Sequence, residues 1–239
     1  MKPTNQLFDI IKSLTPEEEK KFILLSSLQQ GEKNYIKLYN FIQKQDSYDE
    51  DLVKAHFKNE IFVQHFASEK NQLLHHILKS LRFHRYETSA SAKIDEEIKN
   101  IQLLFNKSLY KQSRKQLSII KKMAQDYELF YSLLEIVELE KVLIDMEAHF
   151  GDINYKTLDE LIEEENALFA KIENFAAYEL QLAKLNSLSS RLMIARSKED
   201  VKEITDIIKE TKRLSNQDGF LSNKSKIIFL FIIGVANML

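Results

Sequence analysis

The sequence predicts an all-α protein: antiparallel helical hairpins stacked as a short α-solenoid, preceded by a compact helical N-terminal unit. Three observations carry that expectation. Only 4 Gly and 2 Pro occur among 239 residues, far below the usage that the turns of a strand-rich fold require. Helix-start signals and apolar residues at three- and four-residue steps recur from end to end. The breaks between these segments are short, and short connections make neighbouring helices antiparallel. Hydrophobic residues, at 44 %, supply ample core and exclude disorder by composition.

The first amphipathic segment contains Leu7, Phe8, Ile10 and Ile11. Thr15-Pro16-Glu17-Glu18 then reads as a capping box with proline at the first helical position. Its helix carries Phe22, Leu24, Leu25 and Leu28, and Gly31 stands where a C-terminal cap is expected. A third helix turns Tyr35, Leu38, Tyr39 and Ile42 inward, and a short fourth begins near Asp49 or Glu50. An apolar knot of Phe57, Ile61, Phe62, Val63 and Phe66 precedes a long helix from about Ser68 to Arg85.

Residues 1–88 therefore form one unit, with the small polar stretch Thr88-Ser89-Ala90-Ser91 as the boundary. Residues 89–239 form the hairpin region, with helices at 92–106, 109–125, 127–149, 156–173, 176–195, 198–214 and 223–239. The breaks fall at Asn106-Lys107-Ser108, Asp126, Gly151-Asp152, Asn174, Ser197 and Asp218-Gly219. In 109–125, Tyr110, Ser113, Leu117, Ile120 and Ala124 make a single inward stripe. The 127–149 helix is apolar over a wider arc, through Leu129, Phe130, Leu133, Leu134, Val137 and Ile144, as in the middle of a stack.

Ser108-Leu109-Tyr110-Lys111-Gln112-Ser113 resembles the turn between the two helices of a tetratricopeptide repeat, small-x-Tyr-x-x-small. The resemblance covers one repeat and implies helices in close approach with the Tyr filling the groove between them. A broader pattern combines Leu7-x3-Ile11-Lys12-Ser13-Leu14-Thr15, Glu18-Glu19-Lys20-Lys21-Phe22, Asn34-Tyr35-x2-Leu38 and Lys70-Asn71-x6-Leu78-Lys79-Ser80-Leu81. It resembles a family of helical proteins from Bacteroidetes-type bacteria. That likeness implies a helical-repeat scaffold and supplies no functional residues.

Chemistry-bearing motifs are sparse. The chain has no Cys, which excludes disulfides, Cys-zinc sites and thiol catalysis. Five of the six histidines, His56, His65, His75, His76 and His84, share one window, but no Glu-x-x-His or His-Glu-x-x-His spacing accompanies them. Asp145 and His149 stand one turn apart without a third ligand. Carboxylate pairs such as Glu135 with Glu138, and the run Glu163 to Glu165, are read as solvated helix faces. Gly-rich phosphate loops and Gly-x-Ser-x-Gly turns do not occur. The expectation is a non-enzyme with no cofactor, no metal and no catalytic residue.

The charge layout is more telling. The net charge of −2 conceals blocks: −2 over 1–69, +8 over 70–122, −12 over 123–179 and +4 over 180–239. Lys107, Lys111, Arg114, Lys115 and Lys122, with Lys121, fall largely on one face of the 109–125 helix, and Lys79, Arg82 and Arg85 form a second cluster. Such a stripe could neutralise phosphates. A pI near 6.3 and the acidic block favour a solvated face, or basic helices lying alongside the acidic 126–165 helices.

The run Ile227 to Val235 is apolar all round, with Ile228, Phe229, Phe231 and Ile232 as the candidate apolar interaction residues. It is too short for a bilayer, which takes roughly 20 residues. Such a helix needs cover on several sides. Self-association, docking of another protein and loss of further repeats from a longer parent are the three explanations. No secretory signal opens the chain, since Met1-Lys2-Pro3-Thr4 leads into the Leu7 segment, so cytoplasm is the expected location. The sequence thus points to a protein–protein interaction scaffold or adaptor. Its alternative is a nucleic-acid-associated regulator using the basic helices in 70–122.

Overall fold

A computed structural model describes residues 5–28, 33–148, 158–191, 197–217, 219–236 and 238. Among them the chain is helical with no strand, and neighbouring helices pack on one another. It divides into two compact units, Met1–Lys93 and Ile94–Leu239.

The first unit holds α1 (Gln6–Ser13), α2 (Pro16–Ser27), α3 (Asn34–Gln43), α4 (Glu50–His56), a 3-10 turn (Ile61–His65) and α5 (Phe66–Thr88). The capping box forms as the sequence dictates: the Glu18 amide donates to Thr15 Oγ1 at 3.3 Å, and the Thr15 amide donates to the Glu18 carboxylate at 2.9 Å. Asp49 caps α4 by accepting from the Leu52 amide at 2.9 Å. The expected Gly31 cap lies outside the described residues.

All four inward residues of α3 are buried, with Tyr39 against Phe22 at 4.8 Å between ring centres. Leu73 and Ile77 of α5 complete this core. Leu24 of α2 and Leu28 at its C-cap, in contrast, are exposed. Phe22 and Ser26 are one turn apart and take the single face that α5 covers. Ile61, from the apolar knot, also stays in solvent at 80 % exposure.

The second unit's elements are α6 (Ala90–Asn106, which begins in the first unit), α7 (Tyr110–Asp126), α8 (Phe130–Ala148), α9 (Leu158–Arg191), α10 (Lys198–Gln217) and α11 (Asn223–Ala236). The turns after α6 and α7 share one geometry. Ser108 and Glu128 adopt φ of 57° and 49°. The following amides reach back five residues, Leu109 to the Leu104 carbonyl and Leu129 to the Ala124 carbonyl. Ser108 and Glu128 donate to Phe105 and Gln125. Both are Schellman motifs with a side chain where glycine is usual. Ser197 and Asp200 cap α10 reciprocally at 3.0 and 3.1 Å.

The sequence placed a break at Asn174, between helices at 156–173 and 176–195. The structure has one continuous 34-residue helix, α9. Asn174 is buried and spends its side-chain amide on the α10–α11 turn, donating to the Gly219 carbonyl at 3.2 Å and accepting from the Leu221 amide at 3.3 Å. Tyr178, one turn on, donates its hydroxyl to the same carbonyl at 3.0 Å. Asn costs a helix at most about 0.7 kcal/mol relative to its best residues, and two partly buried hydrogen bonds outweigh that. Gly219 sits at φ +65, which a β-carbon would strain. The other half of that predicted break, Asp218, lies outside the described residues, as do Gly151 and Asp152.

Because α9 is continuous, it joins two cores. Leu161 and Leu168 pack with α6, α7 and α8, while Leu185 and Leu188 pack with α10 and α11.

Candidate functional site

Three surfaces of the second unit bear on function. On α7, Lys111, Lys115 and Lys122 are exposed, Arg114 is half-buried, and Lys107 is exposed in the preceding turn. They lie opposite the buried stripe of Ser113, Leu117, Ile120 and Ala124, as the helical spacing requires. Ser113, the second small residue of the repeat-like turn, is fully buried and donates its hydroxyl to the Leu109 carbonyl at 3.1 Å. Tyr110 meets Phe105 edge-on at 5.9 Å.

Lys121 departs from this stripe. It is only 8 % exposed, and its ammonium binds both Glu140 of α8 and Glu164 of α9, the latter at 2.8 Å. Lys141 of α8 binds Glu138 at 2.7 Å and Glu165 of α9 at 2.9 Å. These two carboxylates raise the Lys141 pKa by accepting its hydrogen bonds. Glu164 and Glu165 are therefore not solvated-face residues: they bridge helices at about four-fifths burial. Lys121 thus lies alongside acidic α8 and α9, while Lys111, Lys115 and Lys122 stay on an exposed face, so α7 shows both of the arrangements its charge pattern allowed.

The second surface is α11. The four residues singled out from sequence divide. Ile232 is fully buried, and Ile228 is partly buried against the core with Leu185 and Ile204. Phe229 is half-buried, packing on Phe220 at 5.1 Å and Tyr178 at 6.4 Å. Phe231 is exposed, and its neighbours in that exposure are Ile227 and Leu230, all three more than half exposed. They form an i, i+3, i+4 stripe continued by Gly234, where an added β-carbon would meet nothing within 4 Å. Sequence missed Ile227 and Leu230 because a helix apolar all round carries no signal of which side is covered.

The N-terminus of α11 is held by Glu128. Its carboxylate accepts from the Asn223 and Lys224 amides, each at 2.8 Å, and its carbonyl accepts from the Lys224 ammonium at 2.9 Å. The Ser225 amide donates to Ser222 Oγ at 3.0 Å. The strained α7–α8 turn thereby sets where α11 begins.

The third surface, without any sequence signal, is a groove of about 700 Å³ between α9 and α10. Gln181, Lys184 and Leu188 line one side, and Glu203, Asp206, Ile207 and Glu210 the other.

Two rings of the histidine window stack on aromatic neighbours, while His56, His65 and His75 are exposed. His76 stacks on Tyr35 at 4.3 Å, His56 stacks on Phe41 at 4.2 Å, and His75 Nδ1 lies 2.7 Å from the Asn71 carbonyl. Burial and the nearby Lys79, Lys33 and His75 charges lower the His76 pKa. Among the described residues, no group of three or more His, Cys, Asp or Glu side chains could hold a metal ion. His149, one member of the Asp145 pair, lies outside them. Also among the described residues, no helix is long and apolar enough to cross a membrane. No family model matches this chain, and neither a curated protein nor a solved structure matches it.

Proposed function

We propose that this chain is a protein–protein interaction module with no chemistry of its own, its helical hairpins presenting α11 to an apolar helical face of a partner. The exposed stripe of Ile227, Leu230 and Phe231 carries the reading. Three large apolar side chains on one helix face make the kind of contiguous patch that marks interaction sites, and their spacing suits a helix laid alongside. Ile227 to Ala236 carry no charged side chain, and the exposed Lys226 stands at the N-terminal edge of this face. The Ser108–Ser113 turn carries the tetratricopeptide-like sequence, but the closely packed helix pair next to it is α7 with α8 and not α6 with α7. The alternative, a nucleic-acid-associated regulator, has the exposed lysines of α7 in its favour. It is weakened because Lys121 is committed to Glu140 and Glu164.

The test compares the intact chain with the triple variant Ile227→Asp, Leu230→Asp, Phe231→Ser. The helical signal and melting of the variant should match the parent, since the three positions are solvent-facing. The parent should hold a bound protein or a second copy, by light scattering and affinity retention, that the variant loses. Identical mass and identical retained proteins for both chains would overturn the proposal.

A further inference from the structure

Gly234 is the residue of α11 that packing within the chain leaves unexplained. It stands in the last helical turn, ahead of the capping position where glycine serves a purpose, and a helical glycine costs up to about 1 kcal/mol relative to alanine. An added β-carbon there meets nothing within 4 Å, so no contact among the described residues requires glycine. The position lies on the exposed stripe, one turn on from Leu230 and Phe231, where it opens a gap between apolar side chains. Met238, beyond the helix end, continues the apolar surface at 84 % exposure.

The stripe is complementary to itself under a two-fold axis. With α11 laid antiparallel to its own copy and the axis passing between positions 232 and 233, Phe231 falls opposite Gly234 of the second copy. Ile227 falls opposite its Met238, and each pairing occurs twice, as an isologous contact demands. A large side chain meets the gap in both halves, which lets the helix axes approach to about 8 Å, the close end of their usual range. A parallel pair instead sets gap against gap and Lys226 against Lys226. In the antiparallel pair the two Lys226 positions stand about 20 Å apart along the axis at 1.5 Å per residue, well past the Debye length of about 8 Å. Ile227 to Ala236 carry no charge, so nothing on the stripe selects a partner of opposite sign.

We propose that α11 pairs antiparallel with α11 of a second copy of this chain, Phe231 of each seated over Gly234 of the other. This rests on the reading of the stripe as a docking face and names what docks there. Ile227, Leu230, Phe231 and Met238 are 64, 58, 53 and 84 % exposed, on the order of 100 Å² of apolar surface each. Two copies thus cover about 800 Å², short of the ~1,200 Å² at which stable specific interfaces begin. The dimer is therefore micromolar or weaker in affinity and is populated by concentration.

Sedimentation equilibrium of the full chain from about 1 µM to about 1 mM tests this. The mean mass should climb from 28.1 kDa toward twice that value. Gly234→Gln fills the gap with an uncharged side chain where the single chain has room for it. It should weaken self-association about tenfold or more, with the thermal unfolding of the monomer unchanged or raised. The chain has no Cys, so introduced thiols report the pairing alone. Ile227→Cys mixed with Met238→Cys should yield a mixed disulfide dimer. Neither variant should cross-link with itself, since its two copies stand about 16 Å apart and a disulfide spans about 7 Å at most.

A mass of 28.1 kDa at every concentration overturns the proposal. If such a monomer still retains another protein that the Ile227→Asp, Leu230→Asp, Phe231→Ser variant loses, the docking-face reading survives without it; if it retains none, both fall. Undiminished self-association of a folded Gly234→Gln, or self-cross-linking of Ile227→Cys, also overturns it. Should Gly234→Gln fail to fold, the cysteine pair decides.

Discussion

Glu128 combines a local cost with a long-range gain, and the two can be separated. Ser108 and Glu128 occupy the same position of the same motif, both at positive φ. A side chain in that region costs about 1–2 kcal/mol, partly offset by the extra chain entropy glycine loses on folding. Ser108→Gly should therefore stabilise by about 0.5–1 kcal/mol. Glu128→Gly relieves the same strain but removes the carboxylate that accepts from the Asn223 and Lys224 amides. Hydrogen bonds to a charged group contribute about 1.5–3 kcal/mol, and at a partly exposed helix terminus the low end applies. The net effect of Glu128→Gly should be a loss of about 1 kcal/mol, and Glu128→Ala, which keeps the strain, should lose about 2 kcal/mol. Urea unfolding followed by far-UV circular dichroism measures the order Ser108→Gly above parent above Glu128→Gly above Glu128→Ala. Hydrogen exchange adds a local readout: the Asn223 and Lys224 amides should exchange faster in both Glu128 variants and not in Ser108→Gly. If Glu128→Gly stabilises as much as Ser108→Gly, the carboxylate does not hold α11 and the reasoning fails.

Two further outcomes follow from the packing. Asn174→Ala should cost about 1 kcal/mol, because it removes two partly buried hydrogen bonds, one to a Gly219 carbonyl that keeps the Tyr178 hydroxyl and one from the Leu221 amide; thermal unfolding checks this, and a loss below about 0.5 kcal/mol, the scatter of surface substitutions, would show the α10–α11 turn held by other contacts. Glu50 links α4 to α5, taking hydrogen bonds from Lys54 at 2.8 Å, from Lys70, and from the Tyr48 hydroxyl at 3.1 Å. Burial alone would raise its carboxyl, but these donors overcome it and hold the pKa at about 2, against an ordinary 4.5. A depressed folded-state pKa gives stability that is present above pH 4.5 and lost as pH falls from there toward 2. With the side chain 15 % exposed and screened by solvent, the loss should be about 1–2 kcal/mol. Glu50→Gln should remove that dependence in unfolding measured across the range; an unchanged acid limb would contradict the assignment.

How much of this was legible in advance depends on the range of the interaction. Caps at Thr15 and Asp49, the turns at Ser108 and Asp126, the inward stripe of α7 and the core face of α3 are all short-range, because each pairs residues three to five apart. Sequence spacing expresses them directly. The continuity of α9 through Asn174 was hidden, since its partners at Gly219 and Leu221 lie more than forty residues away. Lys121 looked like any member of a basic stripe until α8 and α9 closed over it with two carboxylates.

The sequence by itself determined that this protein is helical, where most of its helices start, and that its charge is laid out in alternating blocks. Only tertiary structure decided which side of α11 is covered, which lysine of α7 is buried, and that Gln181 faces an acidic groove. Periodicity reports one apolar face against one polar face. It is silent where a helix is apolar all round, and where a polar side chain is buried by neighbours remote in sequence.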